Sequence, residues 1–147
     1  DPERFEYVEI GSDQLIPVSV PDEQGKPKFN LPGNGKSPIP HLVYASDAFL
    51  GKLVAHLLEK SSVPCFLKTY YENSLAEALK TAAIEGLGLA WLPESTILTA
   101  LETNQLVRGG DPKWNIDLKI RVYRSRSSNK PKAAEVWKTF LDGKPAT

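Results

Sequence analysis

The chain has 147 residues, with 18 Lys plus Arg set against 18 Asp plus Glu, so its formal net charge is zero; 41% of residues are hydrophobic and 24% charged. This is the composition of an ordinary globular protein of one domain, or one and a half small lobes, large enough to fold without a metal or disulfide. The charge balance argues against nucleic-acid binding by this piece alone, the lone Cys65 excludes an internal disulfide, and no apolar run approaches the ~18 residues of a membrane span.

Phe5-Glu6-Tyr7-Val8-Glu9-Ile10 alternates partially and Gly11-Ser12-Asp13 follows it, which predicts a strand ending in a turn. Leu15-Ile16-Pro17-Val18-Ser19-Val20 predicts a second strand, with Pro17 at an edge or bulge. From 21 to 40, Pro21, Pro27, Pro32, Pro38 and Pro40 with Gly25, Gly33 and Gly35 prevent long regular structure. This stretch is either a surface loop or a flexible linker.

His41 to Ala45 reads as a short buried strand. Ser46 or Asp47 then offers an N-cap to a helix whose Phe49, Leu50, Leu53, Val54, Leu57 and Leu58 share one face. Val63 to Tyr71 is a β-rich run. Ser74-Leu75-Ala76-Glu77 has the form of a capping box, opening a helix through Leu79, Ala83 and Ile84 that Gly86 can stop. Leu87 to Leu92 is an apolar strand stopped by Pro93. A short helix over 94–103 would turn Ile97, Leu98 and Leu101 inward, and Leu106-Val107 and Leu118 to Tyr123 read as strands. Pro131 opens a final helix carrying Ala134, Val136, Trp137 and Phe140, with Gly143 as its stop. Strands interleaved with helices predict an α/β fold with mostly parallel pairing.

Ala82-Ala83-Ile84-Glu85-Gly86-Leu87-Gly88-Leu89-Ala90-Trp91-Leu92-Pro93-Glu94 resembles the helix, Gly-x-Gly-(apolar)-Ala-x-Leu-Pro signature of LysR-type effector-binding domains. Asn104-Gln105-Leu106-Val107, Glu72-Asn73-Ser74, the 15–20 strand and the closing helix fall in that family's order, so the resemblance covers residues 5 to 143. Ala-Trp-Leu-Pro is also similar to the subgroup of hypochlorite-responsive regulators. The methionine oxidation suspected there has no residue to act on here, because the chain contains no Met.

The resemblance implies a Rossmann-like lobe of a bilobal, periplasmic-binding-protein-like (type 2) effector domain, with part of the second lobe missing. On that map residues 1–10 are the end of lobe I and the first crossover, 11–115 are lobe II, and 116–147 return to lobe I as a strand and helix. It implies a bacterial, cytoplasmic transcription regulator that binds DNA through a winged helix-turn-helix outside this sequence. It also implies a homo-oligomer (dimer or tetramer) and a small-molecule or redox effector. A fragment of a periplasmic-type solute-binding protein is the alternative. The opening Asp1-Pro2-Glu3 without Met reads as the interior of a longer chain.

Few motifs point to other chemistry. Gly86-x-Gly88 lacks a third glycine and follows a helix rather than a strand, the reverse of a dinucleotide fingerprint, so its glycines read as a helix stop and a close backbone approach. Cys65 reads as a small core residue, and His41 and His56 form no metal motif. No nucleophile elbow or catalytic constellation is present, so neither enzyme chemistry nor a cofactor is expected.

In open α/β sheets small ligands sit at the carboxyl ends of strands, facing helix N-termini. Two places qualify: Tyr44-Ala45-Ser46-Asp47-Ala48-Phe49, and Glu72-Asn73-Ser74-Leu75. The resemblance makes the first the lobe II wall of the effector cleft, with the second beside the crossover. Tyr44 and Ser46 could donate hydroxyls, Phe49 an apolar wall, and Asn73 a polar contact. Ser46, Asp47 and Ser74 read equally well as helix caps, and Asp47 would disfavour an anion.

Overall fold

The computed structural model describes residues 5–125 and 138–145. In chain order the elements are β1 (Phe5–Ser19), β2 (Ile39–Tyr44), α1 (Phe49–Lys60), β3 (Leu67–Asn73), α2 (Ala76–Ile84), β4 (Ala90–Pro93), a 3-10 turn (Glu94–Thr96), α3 (Leu98–Glu102), β5 (Val107–Arg108), a second 3-10 turn (Pro112–Trp114), β6 (Ile116–Ser125) and β7 (Lys138–Pro145).

Pairing departs from the mostly parallel expectation. β2 and β3 are parallel, and a parallel bridge joins His41 of β2 to Leu89 just before β4. All the remaining ladders are antiparallel: β1 with β4, β5 and β6, and β6 with β7. The reason is β1, which is one strand of 15 residues rather than two. Gly11-Ser12-Asp13 forms no turn, because its residues lie in register with Ile120, Lys119 and Leu118. The only interruption is a register shift between Glu9 and Gly11, where Ile10 is the extra residue of a bulge. Pro17 is neither at an edge nor at that bulge. It pairs with Trp91 of β4, and its carbonyl accepts the amide of Gly109 at 2.8 Å; pairing with β6 has already ended at Leu15, so the missing N–H interrupts no ladder there.

The seam between the parallel strands and the rest of the sheet is narrow. The amide of Leu89 donates to the Pro40 carbonyl and that of Leu42 to the Leu89 carbonyl, each at 2.9 Å. It permits a strand sequence β3–β2–β4–β1, in which β2–α1–β3 and β3–α2–β4 run in opposite directions. Right-handed crossovers then place α1 and α2 on opposite faces. From α1, Val54 and Leu57 are buried; from α2, Leu79, Ala82 and Ala83; they meet Leu15, Ile16, Leu42, Trp91, Leu92 and Ile116 in one core.

Helix α2 ends as expected. Gly86 has φ +83°, its amide donates to Ala83 at 2.9 Å, and Leu87 donates to Ala82 at 3.1 Å, the two bonds of a Schellman motif. The 21–40 stretch is irregular apart from local bridges until β2 begins at Ile39, and Leu31 and Ile39 anchor it in the core, so it is a packed loop rather than a free linker. The strand predicted over 63–71 starts at Leu67. Of the residues expected to turn inward from 94–103, Ile97 is buried but Leu98 is 52% exposed, because the 3-10 turn offsets the helix that follows it.

The C-terminal helix expected from Pro131 is a strand where it can be seen. Lys138–Pro145 forms β7, with Phe140 in register with Arg121 and Gly143 with Leu118. Pairing there satisfies the backbone groups of a β6 edge that would otherwise lie open. Pro131, Ala134, Val136 and Trp137 lie outside the described residues.

Candidate functional site

Because β2, β3 and β4 run the same way, their carboxyl ends share one edge of the sheet. Antiparallel β1 contributes Asp13 to that edge, since Leu15 pairs with Pro93. Three strand-to-helix junctions therefore meet there: 44–49, 73–76 and 93–98. With strands about 4.8 Å apart, the row from β3 to β1 spans roughly 14 Å, the scale of a small organic ligand.

Ser46, Asp47 and Phe49 are exposed on the first junction, a turn closed by Ala48 donating to the Ala45 carbonyl at 2.9 Å. Asn73 lies in register with Tyr44, and its carbonyl accepts the amide of Ala45 at 3.1 Å, so the first two junctions touch. The Asn73 side chain accepts from the Leu75 amide at 2.9 Å and donates to the Tyr71 hydroxyl at 3.0 Å. Ser74 is exposed beside it.

Two expectations are corrected. Tyr44 offers no hydroxyl to the cleft: it is 3% exposed, and its hydroxyl donates to the Trp91 carbonyl at 2.7 Å. Burial holds that phenol well above its ordinary pKa, so Tyr44 is a tether between β2 and β4. Nor do Ser46, Asp47 and Ser74 cap helices. The cap positions are Ala48 for α1 and Leu75 for α2, and neither cap residue has a side chain that bonds to the helix. The Asx turn of Asn73 shifts α2 by one residue, so that Ser74 precedes the cap and Glu77 falls one place short of the box.

A groove of about 560 Å³ on the same edge was missed by sequence reasoning; its polar lining includes Asp13, Gln14, Ser95, Asp117 and Lys119. The Asp13 carboxylate accepts the Ser95 amide at 3.2 Å and the Ser95 hydroxyl at 2.5 Å, while Gln14 donates to Asp117 at 2.7 Å. Glu94, at its rim, is paired with Arg108 at 2.7 Å. Applying the strand-to-helix rule to Pro93-Glu94-Ser95 would have found Ser95. Asp13 was hidden by its assignment to a turn.

Among the described residues no group of three His, Cys, Asp or Glu could hold a metal, and no helix is long and apolar enough to cross a membrane. His56 is exposed, whereas His41 is buried and packs edge-on against Trp91, ring centroids 5.3 Å apart. Cys65 is half-buried, and burial pushes its thiol up to about 11, against a smaller opposing pull from Lys113. A thiol held in its neutral form is a poor nucleophile. Alkylation of the folded chain by iodoacetamide is therefore expected to be slow at pH 7.5, and to accelerate only as the pH climbs towards 11. Rapid labelling at neutral pH, followed by mass spectrometry, would contradict this.

A family model described as the LysR substrate binding domain matches residues 1–145. The chain is 31% identical over 138 residues to the HTH-type transcriptional regulator YjiE of Escherichia coli (strain K12), and likewise to the HTH domain-truncated transcriptional regulator QseD of Escherichia coli O157:H7. The match covers 94% of this chain in both cases but 44% and 55% of those proteins, so the chain spans about half the length of these relatives. Among solved structures it is similar to full-length HypT from Salmonella typhimurium, a hypochlorite-specific LysR-type regulator, at TM-score 0.80 and 24% identity over 90% of this chain and 44% of that one. It is also similar to DarR of Vibrio fischeri, solved in complex with DNA, at TM-score 0.73 and 26% identity over 90% and 43%.

Proposed function

This chain belongs to the LysR substrate binding domain family, and from that premise we propose that it is the effector-sensing part of a DNA-binding transcription regulator whose ligand spans the edge formed by Ser46, Asn73 and Ser95. Its relatives are transcription regulators rather than transport proteins or enzymes, which favours this reading over a solute-binding fragment. In this reading residues 11–115 are lobe II. Residues 1–10 lead in from lobe I and 116–147 return to it, and DNA is gripped by a helix-turn-helix elsewhere in a cytoplasmic dimer or tetramer.

The observation that carries the ligand assignment is the junction of two helix starts, α1 and α2, whose cap residues make no side-chain hydrogen bond, with Asp47 on the first and the carboxylates of Asp13 and Asp117 in the groove further along the edge. Backbone N–H groups at a helix start favour a carboxylate. The acidic side chains favour an amine. A molecule that carries both satisfies the edge better than a simple anion does. Ser46 and Ser74 supply hydroxyls and Phe49 an apolar wall. Closure on such a ligand would bias the regulator between two states by ~1–3 kcal/mol, a typical coupling energy.

A thermal-shift screen against amino acids, simple amines, organic acids and mild oxidants tests this. A ligand at ~100 times its Kd stabilises the bound fold by about 2.7 kcal/mol. Amino acids or other amphoteric compounds are expected to raise Tm, and Ser46→Trp or Ser74→Trp, both at exposed positions, to abolish the rise. Stabilisation by amine-free anions alone, or hits indifferent to both substitutions, would move the ligand elsewhere. Silence across the library would count against a small-molecule sensor and towards a redox or protein-borne signal.

A further inference from the structure

A second cavity, of about 230 Å³, lies beneath α1, behind the 44–49 junction. His41, Tyr44 and Trp91 form its floor, Leu58 a wall, and Ala55 and Thr69, both exposed, flank its mouth. Two observations set it apart from a packing gap. The first is His41, 7% exposed, which lines the cavity and packs edge-on against Trp91; it makes no hydrogen bond to any described residue, and its ring nitrogens stay open to solvent. An imidazole on a cavity wall with no protein partner bonds to water, which a ligand hydroxyl can displace. The second is the strand that forms the mouth. The β2–β3 register shifts between His41 and Leu42, so that Tyr70 is an extra residue immediately after Thr69. Bulges re-aim side chains and recur beside binding sites.

We propose that this cavity is a second ligand site, for an uncharged aromatic alcohol of about the size of phenol, whose hydroxyl would take the place of water on His41. The walls fix the class. The Trp91 ring and the aliphatic side chains of Leu58 and Val54 favour an apolar body. Cavities of roughly 150 Å³ already accept benzene, so the space here takes one substituted ring. The Tyr44 hydroxyl is committed to the Trp91 carbonyl and does not compete for the ligand. Burial lowers the His41 pKa to about 4, so at neutral pH the imidazole is uncharged and can both donate and accept. It offers no charge to an anion. No carboxylate lines the cavity to hold an amine. The site therefore selects against the charged, amphoteric class proposed for the strand-end edge, and the two stand or fall separately.

Titration of the chain with phenol, followed through the Trp91 indole N–H by NMR, tests the proposal. Saturable one-to-one binding is expected. Ala55→Phe, at an exposed position that plugs the mouth, should weaken it by about tenfold or more. His41→Phe should weaken phenol while sparing toluene, and Ser46→Trp, at an exposed position that does not line the cavity, should leave phenol unaffected. Non-saturable shifts, or binding that survives Ala55→Phe intact in a folded variant, would overturn the proposal. Loss of phenol binding in Ser46→Trp would place the molecule in the strand-end cleft and overturn it equally.

Discussion

Replacing Gly88 with alanine is expected to lower the stability of the fold by about 3 kcal/mol, a drop at the severe end for one methyl group. A Cβ at this position would lie 2.5 Å from the Pro40 carbonyl oxygen and 3.1 Å from the Leu42 side chain. That oxygen is backbone in a paired strand and cannot swing aside, and it already accepts the Leu89 amide at 2.9 Å. Relief of the clash must therefore open the seam that joins β2 and β3 to the rest of the sheet. Urea unfolding gives the magnitude, and hydrogen exchange gives the mechanism: the amides of Leu42 and Leu89 should lose protection first. Gly86→Ala is the comparison. Its φ of +83° strains any side chain, but the nearest atom to a Cβ there is Val20 at 3.6 Å, so about 1 kcal/mol is expected. Equal costs at the two glycines would mean that the collision with Pro40 is not what fixes Gly88.

Acidification from pH 7.5 to 4.5 is expected to remove about 2–3 kcal/mol of stability through His41 alone. Burial lowers its pKa from 6.5 to about 4. Below pH 6.5 the unfolded chain therefore takes up a proton that the folded chain refuses. The stability is fully present above 6.5 and is lost as the pH falls towards 4, the sign required when the folded pKa is depressed. Carboxylates titrate over part of the same range, so the informative quantity is the difference between the parent and His41→Gln. The variant should lose less stability over that interval by about the stated amount. Parallel pH profiles for the two would show that burial does not hold the His41 pKa down.

What the sequence made legible was mostly local. The face of α1 carrying Leu50, Leu53, Val54, Leu57 and Leu58 packs as its spacing requires, because 3.6-residue periodicity is a property of the helix alone. Gly86 was readable because it answers a backbone demand within a few residues of itself, whereas the partner of the close approach at Gly88, the Pro40 carbonyl, lies in another strand and was not. Gly11-Ser12-Asp13 was not, since its fate is decided by Leu118, Lys119 and Ile120, a hundred residues away in β6. The same holds for Lys138–Pro145, whose spacing suits a helix but whose backbone pairs with β6. Within the candidate site, the residue types at the strand ends picked out two junctions that the fold brings into contact. The direction of the Tyr44 hydroxyl and the start of α2 could not be read, because each depends on one partner, Trp91 or Asn73, that a pattern does not specify.

The unbroken run of β1 through its bulge at Ile10 has a mechanical consequence. From Phe5 to Leu15 it is laced to β6 by an antiparallel ladder, and β6 in turn to β7, making a ribbon three strands wide along most of its length. Paired strands resist bending within their plane, where hydrogen bonds would have to stretch, and yield far more readily to torsion. Whatever body sits on the far end of that ribbon is coupled to the 15–19 segment by a torsion spring rather than a door hinge. A signal passing along it would arrive as a rotation, and the extra residue at Ile10 marks where the spring is softest.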